Sequence, residues 1–308
     1  MTTRRWLFYV AAIVTGVVSI LLLTIRESRP SLLLAREVAH LRVTTNIPTL
    51  KAFNPDQTPS LLAFIRVALA RPIRLFFTEL LVFIVSTMSA TAIALVYLFV
   101  EALPPIYEAF AFTPKQACLP FLAMCAGLFL GILTRCQDLH IIARYRHHNR
   151  LLRPEDKLTG FSIGVPVLAA SLWLFAWTVP PIASATTPHI HWIVSVLALV
   201  FIGYGLNEID YVLGGYLADS YLSYAASGFA ALSIVRALLS AALPLIAGPM
   251  FGALGNNVAV SVLAAVATAL CVVPPVFARY GAALRGRSAF AKFSMKVYLE
   301  NNVDEEGY

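Results

Sequence analysis

Between Gly203 and Ser240 an apolar, glycine-spaced stretch carries Glu208, Asp210, Asp219 and Arg236. Ionisable side chains at bilayer depth are costly, and those that persist there face a bundle interior or a water-filled cavity. At 3.6 residues per turn, Tyr204, Glu208, Tyr211 and Gly215 share one stripe, and Asn207, Asp210 and Gly214 the adjacent one. Together they predict a polar face on an otherwise apolar helix. There Glu208 or Asp210 is placed to take up a proton and to meet a cationic or amphipathic compound. The same pattern also suits interhelical hydrogen bonding, with the glycines as close-contact surfaces.

On the next apolar run Phe229, Ser233, Arg236 and Ser240 share a stripe. Arg236 has apolar neighbours in sequence and needs a partner or water. Counted from a turn at Asp219, Glu208 lies 219 − 208 = 11 residues up and Arg236 236 − 219 = 17. Their depths then differ by about 9 Å, so a Glu208–Arg236 pair would need the full arginine stem and a bridging water. Five further residues are gating or rim candidates: Glu79, Glu101, Asp138, Arg144 and Asp219. Glu79 is expected to be solvated near Arg74 at one membrane face, and Glu101 to sit on the opposite rim. His140, His147 and His148 lie in a basic segment without the acidic or cysteine partners of a metal site. No phosphate loop, nucleophile elbow or triad is visible, so no catalytic residue, metal or cofactor is assigned and an enzyme is not expected.

These residues need a membrane frame. The 308-residue chain is 59% hydrophobic and 13% charged, above the ~45–50% apolar content of soluble domains. Its +7 net charge is not spread over a soluble face, which argues against a nucleic-acid partner. Eight of the 23 Lys and Arg lie in 26–74, six in 135–157 and five in 279–296, the distribution of cytoplasmic loops. The four cysteines show no metal or redox spacing.

The expected fold is an all-α integral membrane protein of about seven transmembrane helices. Residues 1–25 read as a single membrane helix and 26–74 as a basic cytoplasmic connector with amphipathic helices. Residues 75–278 read as a six-helix bundle and 279–308 as a cytoplasmic tail. The spans are expected near 6–25, 75–100, 117–133, 160–179, 192–215, 221–248 and 258–277. Pro104-Pro105 and Pro180-Pro181 are expected to end spans two and four, and Pro274-Pro275 to bend span seven. With all three basic segments inside, the amino terminus is outside.

One pattern goes further. Arg5-Trp6, an apolar helix and then Glu27-Ser28-Arg29-Pro30-Ser31-Leu32-Leu33-Leu34-Ala35-Arg36 resemble the end of span six and the following loop of fungal drug:proton antiporters of the major facilitator superfamily. Phe77-Thr78-Glu79, Tyr97-Leu98-Phe99-Val100-Glu101-Ala102, Asp219-Ser220-Tyr221 with Tyr224-Ala225-Ala226-Ser227, and Arg279-Tyr280-Gly281 extend the likeness along nearly the whole chain. The resemblance implies that family's helices six to twelve, with the last six forming one half of its fold and the first five absent. It implies efflux of small organic compounds, coupled to protons, across the plasma membrane, by a chain that reads as truncated or split. The implied partners are the lipid bilayer, a small organic substrate, the proton, and a second half-transporter or a second copy. Asp138 and Arg144 would be remnants of a gating motif. The competing expectations are a non-transporting remnant or partner of another half, and, less favoured, an integral membrane enzyme.

Overall fold

The computed structural model describes residues 2–24, 30–45, 65, 70–147, 154–180, 191–288 and 290–293. Most of the connector, His148, His189 and the acidic run Asp304-Glu305-Glu306 lie outside the described residues. Regular structure among the described residues is helical: α1 Thr2–Thr24, α2 Pro30–Thr45, α3 Arg71–Thr78, α4 Leu80–Glu108, α5 Pro120–His147, α6 Thr159–Thr178, α7 Trp192–Tyr221, α8 Ala225–Leu254, α9 Asn256–Leu270 and α10 Val273–Arg287. Among the described residues six stretches are long and apolar enough to cross a membrane: Leu80–Glu108, Gln116–Tyr145, Thr159–Thr178, Trp192–Tyr221, Ala225–Leu254 and Asn256–Arg287. In α1 the apolar stretch Phe8–Thr24 is shorter, and it stands where the first of the seven expected spans begins. The protein is an all-α integral membrane protein.

Met1–Phe64 and Ile65–Tyr308 form two compact units. In the first, the α1 hydroxyls of Thr15, Ser19 and Thr24 donate to the carbonyls of Ala11, Thr15 and Leu21, so the helix satisfies its own polar groups. In α2, Leu34, Val38 and Leu41 share one side while Leu33 and Val43 lie off it, so its apolar residues are not gathered on a single face.

In the second unit several helices run past their expected ends. Helix α5 continues to His147, so Arg135, Asp138, His140 and Arg144 are helical rather than in a loop. Arg135 and Asp138, three apart, pair at 3.0 Å and support that extension. Pro104 and Pro105 do not end α4, which runs through them to Glu108. The carbonyls they leave without a partner belong to Val100 and Glu101, both exposed residues. By contrast α6 stops at Thr178, and Val179 is extended before Pro180. Asp219 lies inside α7, and the turn falls later, at Leu222–Tyr224, where Leu222 has φ 34°. The last span is interrupted at Cys271–Val272, just before Pro274-Pro275.

The bundle is held at helix crossings by glycine. A Cβ on Gly127 of α5 would overlap the carbonyl oxygen of Val200, and one on Gly203 of α7 the carbonyl oxygen of Met124. On the other side of α7, a Cβ on Gly205 would come within 2.8 Å of the Gly164 carbonyl oxygen. Backbones therefore touch where α7 crosses α5 and α6, as small residues permit in spans. Helix α4 lies against α8, and α9 against α6. Phe99 meets Phe175 edge-on, and Phe277 meets both Phe161 and Tyr216.

At the end of the bundle away from the basic segments, the buried Tyr107 hydroxyl lies 2.9 Å from Ser195 Oγ. Asn256 Nδ2 donates to the Pro180 carbonyl, and Asn257 Nδ2 to those of Ala176 and Val179, which closes the carbonyl end of α6. Because Ser195 also donates to the Trp192 carbonyl, Tyr107→Phe is expected to lose one hydrogen bond without stranding its partner. The expected cost is ~1 kcal/mol in a thermal melt of the purified protein.

Candidate functional site

In the middle of helix α7, Glu208 and Asp210 lie on opposite sides. Glu208 and Asp210 are two residues apart, which turns them roughly 160–200° from each other on a helix. They therefore face different neighbours, and the single polar face expected from the sequence divides into two networks.

Glu208 is fully buried. Its Oε1 accepts from Thr134 Oγ1 at 2.7 Å, and its Oε2 pairs with Arg135 Nη2. Three glycines leave room for the carboxylate: a Cβ on Gly160 would overlap Oε2, one on Gly164 would lie 2.7 Å from the Glu208 Cβ, and one on Gly131 would lie 3.1 Å from Oε1. Arg135 also pairs with Asp138 and stacks over the Tyr211 ring at 4.4 Å. This network joins α5, α6 and α7 at one level. Of the expected stripe, Tyr204 is buried, Asn207 is half-buried against Gly131, and Tyr211 is exposed beneath the guanidinium. Gly215 faces open space and Gly214 lies near the Phe229 ring.

Asp210 faces the other way. Its Oδ1 accepts from Arg236 Nη2 and from Ser89 Oγ, and Arg236 Nη2 also reaches Ser89 Oγ at 3.0 Å. Both charged side chains are about one third exposed. This second network joins α4, α7 and α8. Ser233, one turn before Arg236, is exposed.

The Glu208–Arg236 pair considered from the sequence is not formed. Measured from Ser223, in the middle of the actual turn, Asp210 is 223 − 210 = 13 residues up and Arg236 is 236 − 223 = 13. Asp210 and Arg236 thus share a depth of roughly 20 Å from the turn, and the helix facing selects Asp210.

The other candidates spread along the bundle. Glu79 is buried rather than solvated, at an extended residue between α3 and α4, where it accepts from the Tyr221 hydroxyl at 3.3 Å. Burial follows because the break in the helix turns the carboxylate toward the end of α7. Asp219 pairs with Lys157 at 2.8 Å, and Glu155 with Arg285 at 3.1 Å while also accepting from Tyr216. These pairs tie α7 and α10 to the short turn Pro154–Lys157 at the basic end. Asp138 belongs to the Arg135 network, and Arg144 lies further along the same helix, exposed. Glu101 is exposed and lines a cavity of about 740 Å³ with Pro105 of α4 and Pro244, Gly248 and Gly252 of α8. That cavity and the Ser89–Arg236 bond lie along the same α4–α8 seam.

Reasoning from sequence missed Thr134, Arg135, Ser89 and the glycine cradle. Two signals for the cradle were present: Gly127 and Gly131, and Gly160 and Gly164, are four apart within apolar runs, the small-residue spacing of close helix contacts.

The chain is similar to fungal efflux transporters over nearly its whole length. A multidrug transporter of Candida glabrata is 32% identical over 293 residues, 94% of this chain and 50% of the relative. A major facilitator superfamily multidrug transporter of Candida albicans is 30% identical over 292 residues, 93% of this chain and 47% of the relative. An MFS-type efflux pump of Trichophyton rubrum is 32% identical over 310 residues, 98% of this chain and 51% of the relative. The chain thus spans about half the length of these curated relatives. No family model and no solved structure matches it.

Proposed function

On the premise that nearly the whole chain is homologous to half of a major facilitator superfamily efflux transporter, we propose that it contributes one wall of a path for small organic compounds. The path is driven by proton exchange across the plasma membrane. The basic segments face the cytoplasm, which places the Lys157–Asp219 and Glu155–Arg285 pairs at the inner face and Glu101 at the outer one. The observation that carries the reading is the Asp210–Arg236–Ser89 network, an ion pair in the interior of three spans that is about one third exposed.

Glu208 and Asp210 divide the work. Glu208 is enclosed by glycines and held by Thr134 and Arg135, so it clamps three helices and has no open side to a substrate. Asp210 is about one third exposed and is held by Arg236 and Ser89. A proton on Asp210 removes the charge that holds Arg236 and leaves the guanidinium to Ser89, and α8 is then released from α7 at that level. The cavity at Glu101 supports the substrate class, because one carboxylate amid prolines and apolar side chains suits an amphipathic cation.

The test uses sealed vesicles from cells expressing the chain, with a lipophilic fluorescent cation and an imposed pH gradient. Gradient-dependent movement is expected with the wild-type chain, a second copy of which supplies the opposite wall. Asp210→Asn should lose it while retaining the wild-type expression level. Movement that ignores the gradient, or that survives in Asp210→Asn, would overturn the reading.

A further inference from the structure

A second cavity, of about 180 Å³, lies where five helices meet: Ala92 and Leu95 of α4, Leu168 of α6, Ile209 of α7, Leu243 of α8 and Ala267 of α9 all line it. Its one polar lining residue is Thr91, whose hydroxyl donates to the Thr87 carbonyl at 2.7 Å. That leaves one hydroxyl oxygen as an acceptor, fewer than the two to four polar partners a buried water needs, so the cavity stays dry. A cavity of roughly 150 Å³ with such a lining takes up benzene or xenon, so the space accommodates a ring or several methylenes of a chain. The residues come from the middle of their spans, at the depth of bilayer hydrocarbon. Val266 lines the cavity while 49% exposed, so on the α9 side the wall is one side chain thick.

We infer that this cavity is a binding site for a small hydrocarbon-like ligand supplied from the membrane. It is separate from the Glu101 cavity and does not depend on the transport reading. The ligand is either a dissolved apolar molecule or the end of a lipid acyl chain, which share the same chemistry. Occupancy acts on the ion-pair network, because Met88 and Ile209 line the cavity while the residues that follow them, Ser89 and Asp210, bond to each other. A ligand that fills the space props α4 and α7 at the separation this bond requires.

Fluorobenzene followed by 19F NMR tests the site, with the purified chain in lipid nanodiscs and in delipidated detergent micelles. A second resonance, distinct from the lipid- or micelle-dissolved line, is expected from the wild-type protein and should be lost in Ala267→Leu, which fills the space. Ala92→Leu fills it from another helix and covers the case in which one variant fails to fold, as judged by gel filtration. If a lipid chain is the natural occupant, the second line appears only after delipidation, and native mass spectrometry shows a retained lipid that Ala267→Leu lacks. If a dissolved molecule is the occupant, the line appears in nanodiscs as well. A second line that persists in both filled variants, or the absence of both the line and the retained lipid, overturns the inference.

Discussion

Adding a single methyl group at Gly203 is expected to separate α7 from α5. The new Cβ would lie 2.2 Å from the carbonyl oxygen of Met124, and the reciprocal change at Gly127 would put one 2.1 Å from that of Val200. Both obstacles are backbone, so no rotamer change relieves them, and the helices must part or shift along each other. The cost should reach or exceed the ~3 kcal/mol upper end of ordinary overpacking. It also propagates, because α7 carries both ion-pair networks and each is set by where α7 lies. Gly203→Ala should therefore melt well below wild type in detergent and give an aggregated gel-filtration profile. Gly248→Ala is the control: it is a helical glycine with nothing within 4 Å of the added Cβ, and it should be as stable as wild type or up to ~1 kcal/mol more stable. A Gly203→Ala protein as stable as the Gly248→Ala control would show that α5 and α7 do not cross at this contact.

Removing Arg135 is expected to be the most damaging change to a charged residue. Glu208 is 0% exposed and Arg135 is 27% exposed. Arg135→Ala leaves a buried carboxylate with Thr134 as its remaining partner and no counter-charge. Losing one partner of a buried pair costs about 3–5 kcal/mol, chiefly because the remaining charge is uncompensated. Glu208→Gln should cost much less, since the amide oxygen still accepts from Thr134 and Arg135 keeps Asp138 and the Tyr211 ring. The double change should be more stable than Arg135→Ala alone, because the stranded charge is gone. Thermal melts of the three purified variants measure this order. If Arg135→Ala is no worse than Glu208→Gln, the Glu208 charge is balanced in some other way.

The two networks also mark what could be read in advance. Glu208, Asp210 and Arg236 stood out as charges in apolar runs, and all three lie in ion pairs inside spans. Their partners did not stand out. Arg135 read as the first residue of a basic loop because hydropathy falls there, yet α5 runs on to His147. Ser89 and Thr134 are ordinary hydroxyl residues whose role appears only when α7 is laid against α4 and α5. Glu79 read as interfacial, and the extended residue at that point turned it inward to Tyr221.

By itself the sequence determined the class of protein, the placing of most apolar spans and the end of the bundle at which basic residues gather. These follow from local composition, since twenty apolar residues in a row have the same transfer energy whatever their neighbours are. Only the tertiary structure decided which acid meets which arginine. That depends on the facing of each helix about its axis and on where its turn falls, and a shift of three or four residues in the turn changes every pairing depth. The α7 facing is set by the Gly203–Gly127 and Gly205–Gly164 contacts. They turn Glu208 toward Arg135 and Asp210 toward Arg236, so the charges follow the glycines.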